Sequence, residues 1–179
     1  SPIQSVSAAS QAAVALWDFS LPPHKAKVHE FLDETRHYQK SGATCVSFAP
    51  QYNAIISGGK KGNICVFDIR QRKMLAHFKA HDGNIRSIAI HPTERLFVSG
   101  SSDGSVKVYD LPALSEIEHW PDLHPRESFV RAPGSLGVFT SPVTTLGVTK
   151  VAFFGNESLL SCGAAGRIDY KPIQLFEKN

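Results

Sequence analysis

Short runs of alternating apolar and polar residues recur along the chain and predict β-strands. The runs "NIRSIAI" and "SVKVYD" carry the β-branched, partly alternating pattern that is typical of strands. Between residues 85 and 120 the pattern predicts four strands, at 85–90, 96–101, 105–110 and 115–120. Asp103-Gly104 suits a tight turn between the second and third of them. Since no segment has a convincing helical period, the sequence predicts an all-β fold.

The strand pattern is repeated along the chain. "ISGGKKGNICVFD" (56–68) aligns with "VSGSSDGSVKVYD" (98–110) at an offset of 42 residues, and weaker copies lie near both ends of the chain. A period of about 40–45 residues that ends in Trp-Asp or a relative of it is the signature of WD repeats. Each such unit forms one four-stranded blade of a β-propeller. The units predict blades at 1–31, 43–78, 85–120 and 148–176.

The number of predicted blades indicates whether the chain can form a closed propeller by itself. A β-propeller needs about 4–8 blades to close into a ring. The chain supplies a partial first blade, two whole blades and most of a last one. We therefore interpret it as about three to four blades from the C-terminal part of a larger WD40-type propeller. Because an open arc would expose apolar flanks, we expect residues 1–179 to self-associate when expressed alone.

One repeat carries the polar residues that WD repeats use as a hydrogen-bonded network. The network joins a His before the first strand, a Ser in the second, an Asp in the tight turn and an aromatic residue in the third. The matching residues are His81, Ser99 (or Ser101), Asp103 and Tyr109. Such a network would pair polar groups that must be paired when buried. At the position of Asp103 the other units carry Gln11, Lys61 and Ala165, so we expect them to lack it.

The same residue types could in principle form a Ser-His-Asp catalytic triad. A triad needs an exposed serine at a sharp elbow and an adjacent oxyanion hole. Ser99 lies instead within a predicted strand, between Val98 and Gly100. We therefore expect a structural network and no enzymatic activity.

Composition and charge narrow the function classes only slightly. The net charge of +3 does not by itself indicate nucleic-acid or membrane binding. No apolar run approaches the roughly 20 residues of a membrane-spanning helix. Three cysteines without a C-x-x-C pair, Cys45, Cys65 and Cys162, favour buried, reduced thiols in a cytosolic protein. No zinc-ligand spacing and no phosphate-binding glycine loop is present, so we predict neither a metal nor a cofactor.

Departures from the minimal repeat mark candidate interaction sites. The loop 121–147 has 27 residues where the equivalent loop 79–84 has 6. Two basic clusters lie in predicted turns on opposite faces of the propeller. The candidates are Phe129, Arg131 and Phe139 in the loop, Lys60 and Lys61 in one turn, and Arg70, Arg72 and Lys73 in the other. A disordered insert without a partner and ordinary solvated turns remain the alternatives.

Several stretches resemble the C-terminal WD repeats of the DmX-like proteins, also called the rabconnectin family. They are "ALWDFSLPPHKAKVHEF", "SGATCVSFAP", "ISGGKKGNICVFDIRQRKMLAHFKAHD" and "LLSCGAAGRIDYKP". The resemblance covers nearly all of residues 14–172, and "SGGKKGNICVFDIRQR" is its most specific part. The chain departs from the expected pattern at Ala165, where an Asp would stand, and in the loop 121–147.

The resemblance implies a very long cytosolic protein related to the fungal regulator of vacuolar proton-pump assembly. Such a protein is a non-enzymatic scaffold that promotes assembly of the V-ATPase peripheral sector on its membrane sector. Its implied partners are V-ATPase subunits and associated regulators, without nucleic acid. Its implied place is cytoplasmic and peripheral on endosomal or vesicle membranes, through indirect contact. The leading alternative is a WD-repeat adaptor of another complex, such as a ubiquitin ligase receptor or a trafficking coat.

Overall fold

The computed structural model describes residues 4–8, 13–32, 42–93, 95–124, 147–163 and 166–173. These residues form fourteen β-strands and one short 3-10 helix, Pro50–Tyr52. The strands make four antiparallel sheets that follow one another along the chain, each with its strands in sequence order. In the described ranges no helix is long and apolar enough to cross a bilayer.

The first and fourth sheets each contain three described strands. The first sheet contains β1 (Gln4–Ala8), β2 (Ala13–Asp18) and β3 (Lys27–Leu32). The fourth contains β12 (Val148–Phe154), β13 (Ser158–Gly163) and β14 (Ile168–Pro172).

The second and third sheets each contain four strands. The second sheet contains β4 (Ala43–Ala49), β5 (Ala54–Gly59), β6 (Asn63–Asp68) and β7 (Lys73–Lys79). The third contains β8 (Ile85–Ile90), β9 (Leu96–Ser101), β10 (Val106–Asp110) and β11 (Ser115–Trp120). The strands of the third sheet begin and end within one residue of the predicted positions, which confirms the strand reading of the alternating pattern.

Consecutive sheets pack side by side through their first strands. β4 lies against β8, and β8 lies against β12, so the sheets form an arc of propeller blades. Apolar side chains from neighbouring sheets share the cores between them. The core between the second and third sheets includes Ile56, Ile64, Val66, Ile85 and Phe97, all buried. Burial of these shared cores is what holds one blade against the next.

Glycine in the second strand of a blade allows the next blade to approach. A Cβ atom built on Gly58 would lie 2.5 Å from Ile85 Cγ2, and one built on Gly100 would lie 2.5 Å from Val148 Cγ1. The two glycines stand at equivalent positions of the 42-residue repeat. In both places the methyl group would meet the first strand of the following sheet. The missing side chain therefore sets the distance between blades.

The three cysteines are unpaired thiols. Cys65 is buried as expected, but Cys45 and Cys162 are only partly buried, so the prediction of three buried thiols is correct for one of them. Burial raises the pKa of the Cys45 thiol to about 11, which keeps it protonated at neutral pH.

We predict that Gly100→Ala will lower the free energy of unfolding of the intact protein by about 1–3 kcal/mol, because the added methyl group overpacks the interface between blades. Val148→Ala removes the nearest atom that it would meet, Val148 Cγ1, while Val151 Cγ1 stays 2.8 Å from the added methyl group. The double variant should therefore lose at least about 0.5 kcal/mol less than the sum of the single losses. Denaturant titration of all four proteins measures this coupling, and strictly additive losses would contradict the packing argument.

Candidate functional site

The most extensive polar cluster among the described residues is built around His81, in the loop that leads into the third sheet. His81 Nε2 lies 2.7 Å from the Ser99 hydroxyl, and His81 Nδ1 lies 2.7 Å from the Ser105 hydroxyl. Ser105 Oγ donates to Asp103 Oδ1 over 2.6 Å. The Tyr109 hydroxyl is hydrogen-bonded to Ser99. The structure thus brings together His81, Ser99, Asp103 and Tyr109, with Ser105 as a link that the sequence analysis missed.

The hydrogen bonds fix the proton on the imidazole ring. A carboxylate can only accept, so the single Ser105 hydroxyl proton points to Asp103. Ser105 Oγ can then only accept from His81, which places a proton on Nδ1. In the neutral ring Nε2 accepts from Ser99, and Ser99 accepts from Tyr109. The donors therefore follow one direction through the ring, from Tyr109 and Ser99 to His81 and on through Ser105 to Asp103, and each proton has an acceptor.

Asp103 also anchors the loop that carries His81. Its Oδ2 accepts the backbone N–H of Asp82 at 2.9 Å and of Gly83 at 3.3 Å. Its Oδ1 accepts the backbone N–H of Ser105 at 2.9 Å. A Cβ on Gly83 would lie 2.6 Å from the Asp103 nitrogen, so glycine is needed for this approach.

The pKa of Asp103 shows how strongly the neighbouring groups stabilise its carboxylate form. Burial by itself raises the pKa of this carboxyl. His81, whose Nδ1 lies 3.4 Å from Asp103 Oδ2, and the hydrogen bonds from Ser105 outweigh that effect and hold the pKa well below its usual range. Asp103 is therefore ionised throughout the physiological pH range.

Tyr109 stands where the WD repeat usually has its aromatic residue and joins the network to the core. Its ring stacks on Phe97 with 5.0 Å between centroids and lies 5.4 Å from the ring of Phe78. Burial raises the pKa of its hydroxyl, which stays protonated and can donate to Ser99. One side chain thus serves both the apolar core and the polar network.

The fourth sheet contains a related pair, so the expectation that the other units lack the network is wrong in part. The buried His124 places Nε2 2.9 Å from the Ser161 hydroxyl, at the positions that match His81 and Ser99. Asp169, on β14, lies near this pair, but its Oδ2 is 3.7 Å from His124 Nε2 and has no hydrogen-bond partner among the described residues. Burial lowers the pKa of His124, and the nearby Asp169 partly opposes this shift.

The predicted interaction residues lie apart from the network and from one another. The predicted basic residues are exposed at opposite ends of the second sheet: Lys60 and Lys61 follow β5, Arg70 and Arg72 lie between β6 and β7, and Lys73 is the first residue of β7. The predicted loop residues Phe129, Arg131 and Phe139 lie outside the described residues, as do Gln11 and Ala165. The loop 121–147 is described only at 121–124 and at Gly147, and its first part includes the buried His124.

The buried arrangement of Ser99, His81 and Asp103 is suited to stabilising the fold and not to binding a substrate for catalysis. Ser99 is fully buried and His81 is 3% exposed, so a substrate would have no access to them. Ser99 lies within β9, which agrees with its predicted place in a strand. Within the described ranges, no group of three His, Cys, Asp or Glu residues is arranged to hold a metal ion.

Sequence comparison identifies the repeats and a set of relatives. The family model "WD domain, G-beta repeat" matches residues 27–68 and 72–110. DmX-like protein 1 of Mus musculus is 37% identical over 86% of this chain, and the Homo sapiens protein is 35% identical over the same share. The chain spans 4% of the length of these relatives. The predicted resemblance to the DmX-like proteins is confirmed.

Two solved structures show the fold. Raptor of Chaetomium thermophilum has a TM-score of 0.68 at 21% identity, covering 94% of this chain and 14% of that one. The computationally designed Ika4 protein has a TM-score of 0.67 at 20% identity, covering 97% and 87%. At these identities the likeness concerns the fold alone.

We predict that Asp103→Ala will destabilise the intact protein by about 1–3 kcal/mol, because it leaves buried donors without an acceptor. Lys61→Ala, at the equivalent turn position of the second sheet, should change the free energy of unfolding by less than about 0.5 kcal/mol. Denaturant titration compares the two. Equal losses would show that the turn position matters and the network does not.

The stabilising effect of Asp103 should also depend on pH. The folded-state pKa lies below the unfolded value of about 3.9, so the stabilisation is present above pH 4 and is lost as the pH falls below it. Asp103→Asn should therefore be less stable than the wild type at pH 7, and the difference should shrink between pH 4 and the acid limit of folding. Denaturant midpoints measured across this range test the prediction, which parallel curves would contradict.

Proposed function

We propose that this WD40-repeat chain, a relative of the DmX-like proteins, is part of a non-enzymatic scaffold that promotes V-ATPase assembly and vesicle acidification through protein–protein contacts. Two observations support the proposal. The chain is 37% identical to DmX-like protein 1 over 86% of its length. Its Ser, His and Asp side chains form hydrogen bonds inside the blade, so the turns and loops are the surface that can contact a partner.

The observation that carries the scaffold function is the internal position of the polar network. Ser99, His81 and Tyr109 are each less than 4% exposed and bind one another. The network fixes the loop 82–83 to the third sheet, so a partner meets a preformed surface. Preformed surfaces reduce the entropy that binding would otherwise cost. Rigid presentation of turns is what a scaffold requires.

We propose the end of the propeller that carries Lys60 and Lys61 as the protein-binding face. Both side chains are exposed, and the loop 121–147 begins and ends at the same end of the molecule. Lys79 Nζ donates to the Lys61 carbonyl over 2.9 Å, which holds the turn, and it also lies 3.9 Å from the carboxylate of Asp82. Acidic segments of V-ATPase subunits or of their regulators are the expected partners. The protein would then act on the cytoplasmic side of endosomal or vesicle membranes.

We predict that the intact protein will capture subunits of the V-ATPase peripheral sector from a cytosolic extract. Lys60→Glu/Lys61→Glu should reduce their recovery at least about tenfold, because like charges at the contact repel the partner. Arg70→Glu/Arg72→Glu, at the opposite end of the same sheet, is the control that should leave recovery unchanged. Quantitative mass spectrometry of the captured proteins measures both.

The same capture separates this proposal from the adaptor alternative. Recovery of ubiquitin ligase or trafficking-coat subunits in place of proton-pump subunits would contradict a role in V-ATPase assembly. Recovery of proton-pump subunits that is insensitive to Lys60→Glu/Lys61→Glu would contradict the choice of face.

A further inference from the structure

We infer that the turns at the other end of the first and second sheets form a surface that binds an anionic lipid bilayer directly. We call it the basic–apolar end. It comprises the turn 19–26 after β2, the 3-10 turn Pro50–Tyr52 after β4, and residues 69–73 after β6. A direct lipid contact would place the protein on a membrane whether or not it acts on a proton pump.

Three large apolar side chains are exposed at this end. Phe19 is 62% exposed, and Leu21 and Tyr52 are each 41% exposed. Phe19 and Leu21 lie in one turn whose residues 19–25 are all exposed, so the turn protrudes from the sheet. Aromatic and aliphatic side chains that protrude together are suited to the boundary between lipid headgroups and acyl chains.

The protruding turn is held in shape by its own hydrogen bonds. Its base is closed by the Asp18 N–H donating to the Ala26 carbonyl over 2.8 Å. Asp18 Oδ1 accepts both the backbone N–H and the hydroxyl of Ser20. The Lys25 N–H donates to the Pro22 carbonyl within the turn. The backbone that carries Phe19 and Leu21 is therefore ordered before binding, which reduces the entropy that binding costs.

Exposed cations flank the apolar side chains. They are Lys25, Arg70, Arg72 and Lys73. The residues 19–27 and 69–73 contain no Asp or Glu. The carboxylate of Asp68, which precedes the second stretch, accepts the backbone N–H groups of Arg70 and Gln71. Each cation close to an anionic leaflet strengthens binding about fivefold.

The three turns belong to one surface. The Ile69 N–H donates to the Asn53 carbonyl over 2.9 Å, which ties the Tyr52 turn to the Arg70 turn. Ile69 also packs against the core that the first and second sheets share, where the rings of Phe31 and Phe67 lie 5.3 Å apart. Because β2 and β6 stand at equivalent positions of the repeat, ending at Asp18 and Asp68, the turns that follow them belong to the same end of a blade.

A bilayer fits this surface better than an acidic peptide does. Small ligands bind in pockets, and helical or proline-rich peptides bind in grooves, whereas the apolar groups here stand on a protruding turn. The matching turns of the third sheet also lack the combination, since Arg95 there pairs with Asp110 at 3.2 Å. The feature is thus local to the first two sheets and not general to the repeat.

The test is sedimentation of the intact protein with vesicles of phosphatidylserine and phosphatidylcholine, against vesicles of phosphatidylcholine alone. Binding should require phosphatidylserine and weaken at high salt. Arg70→Gln/Arg72→Gln/Lys73→Gln should reduce the partition coefficient on the order of 100-fold. Phe19→Ser/Leu21→Ser should reduce it by about tenfold or more.

Two variants serve as matched controls, and both should bind as the wild type does. Lys60→Gln/Lys61→Gln removes cations from the opposite end, and Ile168→Ser removes an exposed apolar side chain from β14 in the fourth sheet. A Phe19→Trp variant gives a second measurement that does not remove the apolar group. Relative to the wild type, its added fluorescence should shift to the blue on phosphatidylserine vesicles and be quenched by brominated lipids.

Several outcomes would overturn the inference. One is equal sedimentation with both kinds of vesicle, and another is no sedimentation at all. Loss of binding in the arginine variant with full binding in Phe19→Ser/Leu21→Ser would show a charge contact without insertion. Strong binding of this end to an acidic protein, with no vesicle binding, would identify a macromolecular partner instead.

Discussion

The imidazole of His81 is the group on which the polar interior of the third blade depends. It joins the second strand, through Ser99, to the tight turn, through Ser105 and Asp103. Each of these groups would cost free energy if it were buried without a partner. Since the carboxylate also holds the backbone of the preceding loop, the network fixes how one blade leads into the next.

The junctions between blades repeat a second contact that uses backbone atoms. The Gly62 carbonyl accepts the N–H groups of Ala80 and His81, and the Gly104 carbonyl accepts the N–H of His124. Both glycines have positive φ angles, 76° and 94°, which favour glycine. The turn of one blade thus positions the histidine of the next. The matched repeats, 27–68 and 72–110, likewise start in the outer strand of one sheet and end in the third strand of the next.

The sequence predicts the strands well because alternation and turn residues are local signals, and the third sheet shows this most clearly. It also identifies His81, Ser99 and Asp103, because the 42-residue period indicates a WD repeat and these residues stand at the positions of the WD-repeat network. The role of His124 was missed because 23 residues separate it from β12, whereas His81 stands close to β8. The sequence does not show that Asp169 lies near His124, because Asp169 is in strand β14 and not in the turn where the repeat has its Asp. Only the packing of the strands brings the two side chains close together.

The central claim is that the Ser-His-Asp set is an internal structural network, with recognition left to the exposed turns. Nitrogen-15 NMR of the His81 ring in the intact protein tests it most directly, because the network fixes which nitrogen carries the proton. The account predicts a proton on Nδ1 that is hydrogen-bonded to Ser105 and exchanges slowly with water. A proton on Nε2, or a ring that exchanges freely with solvent, would contradict it.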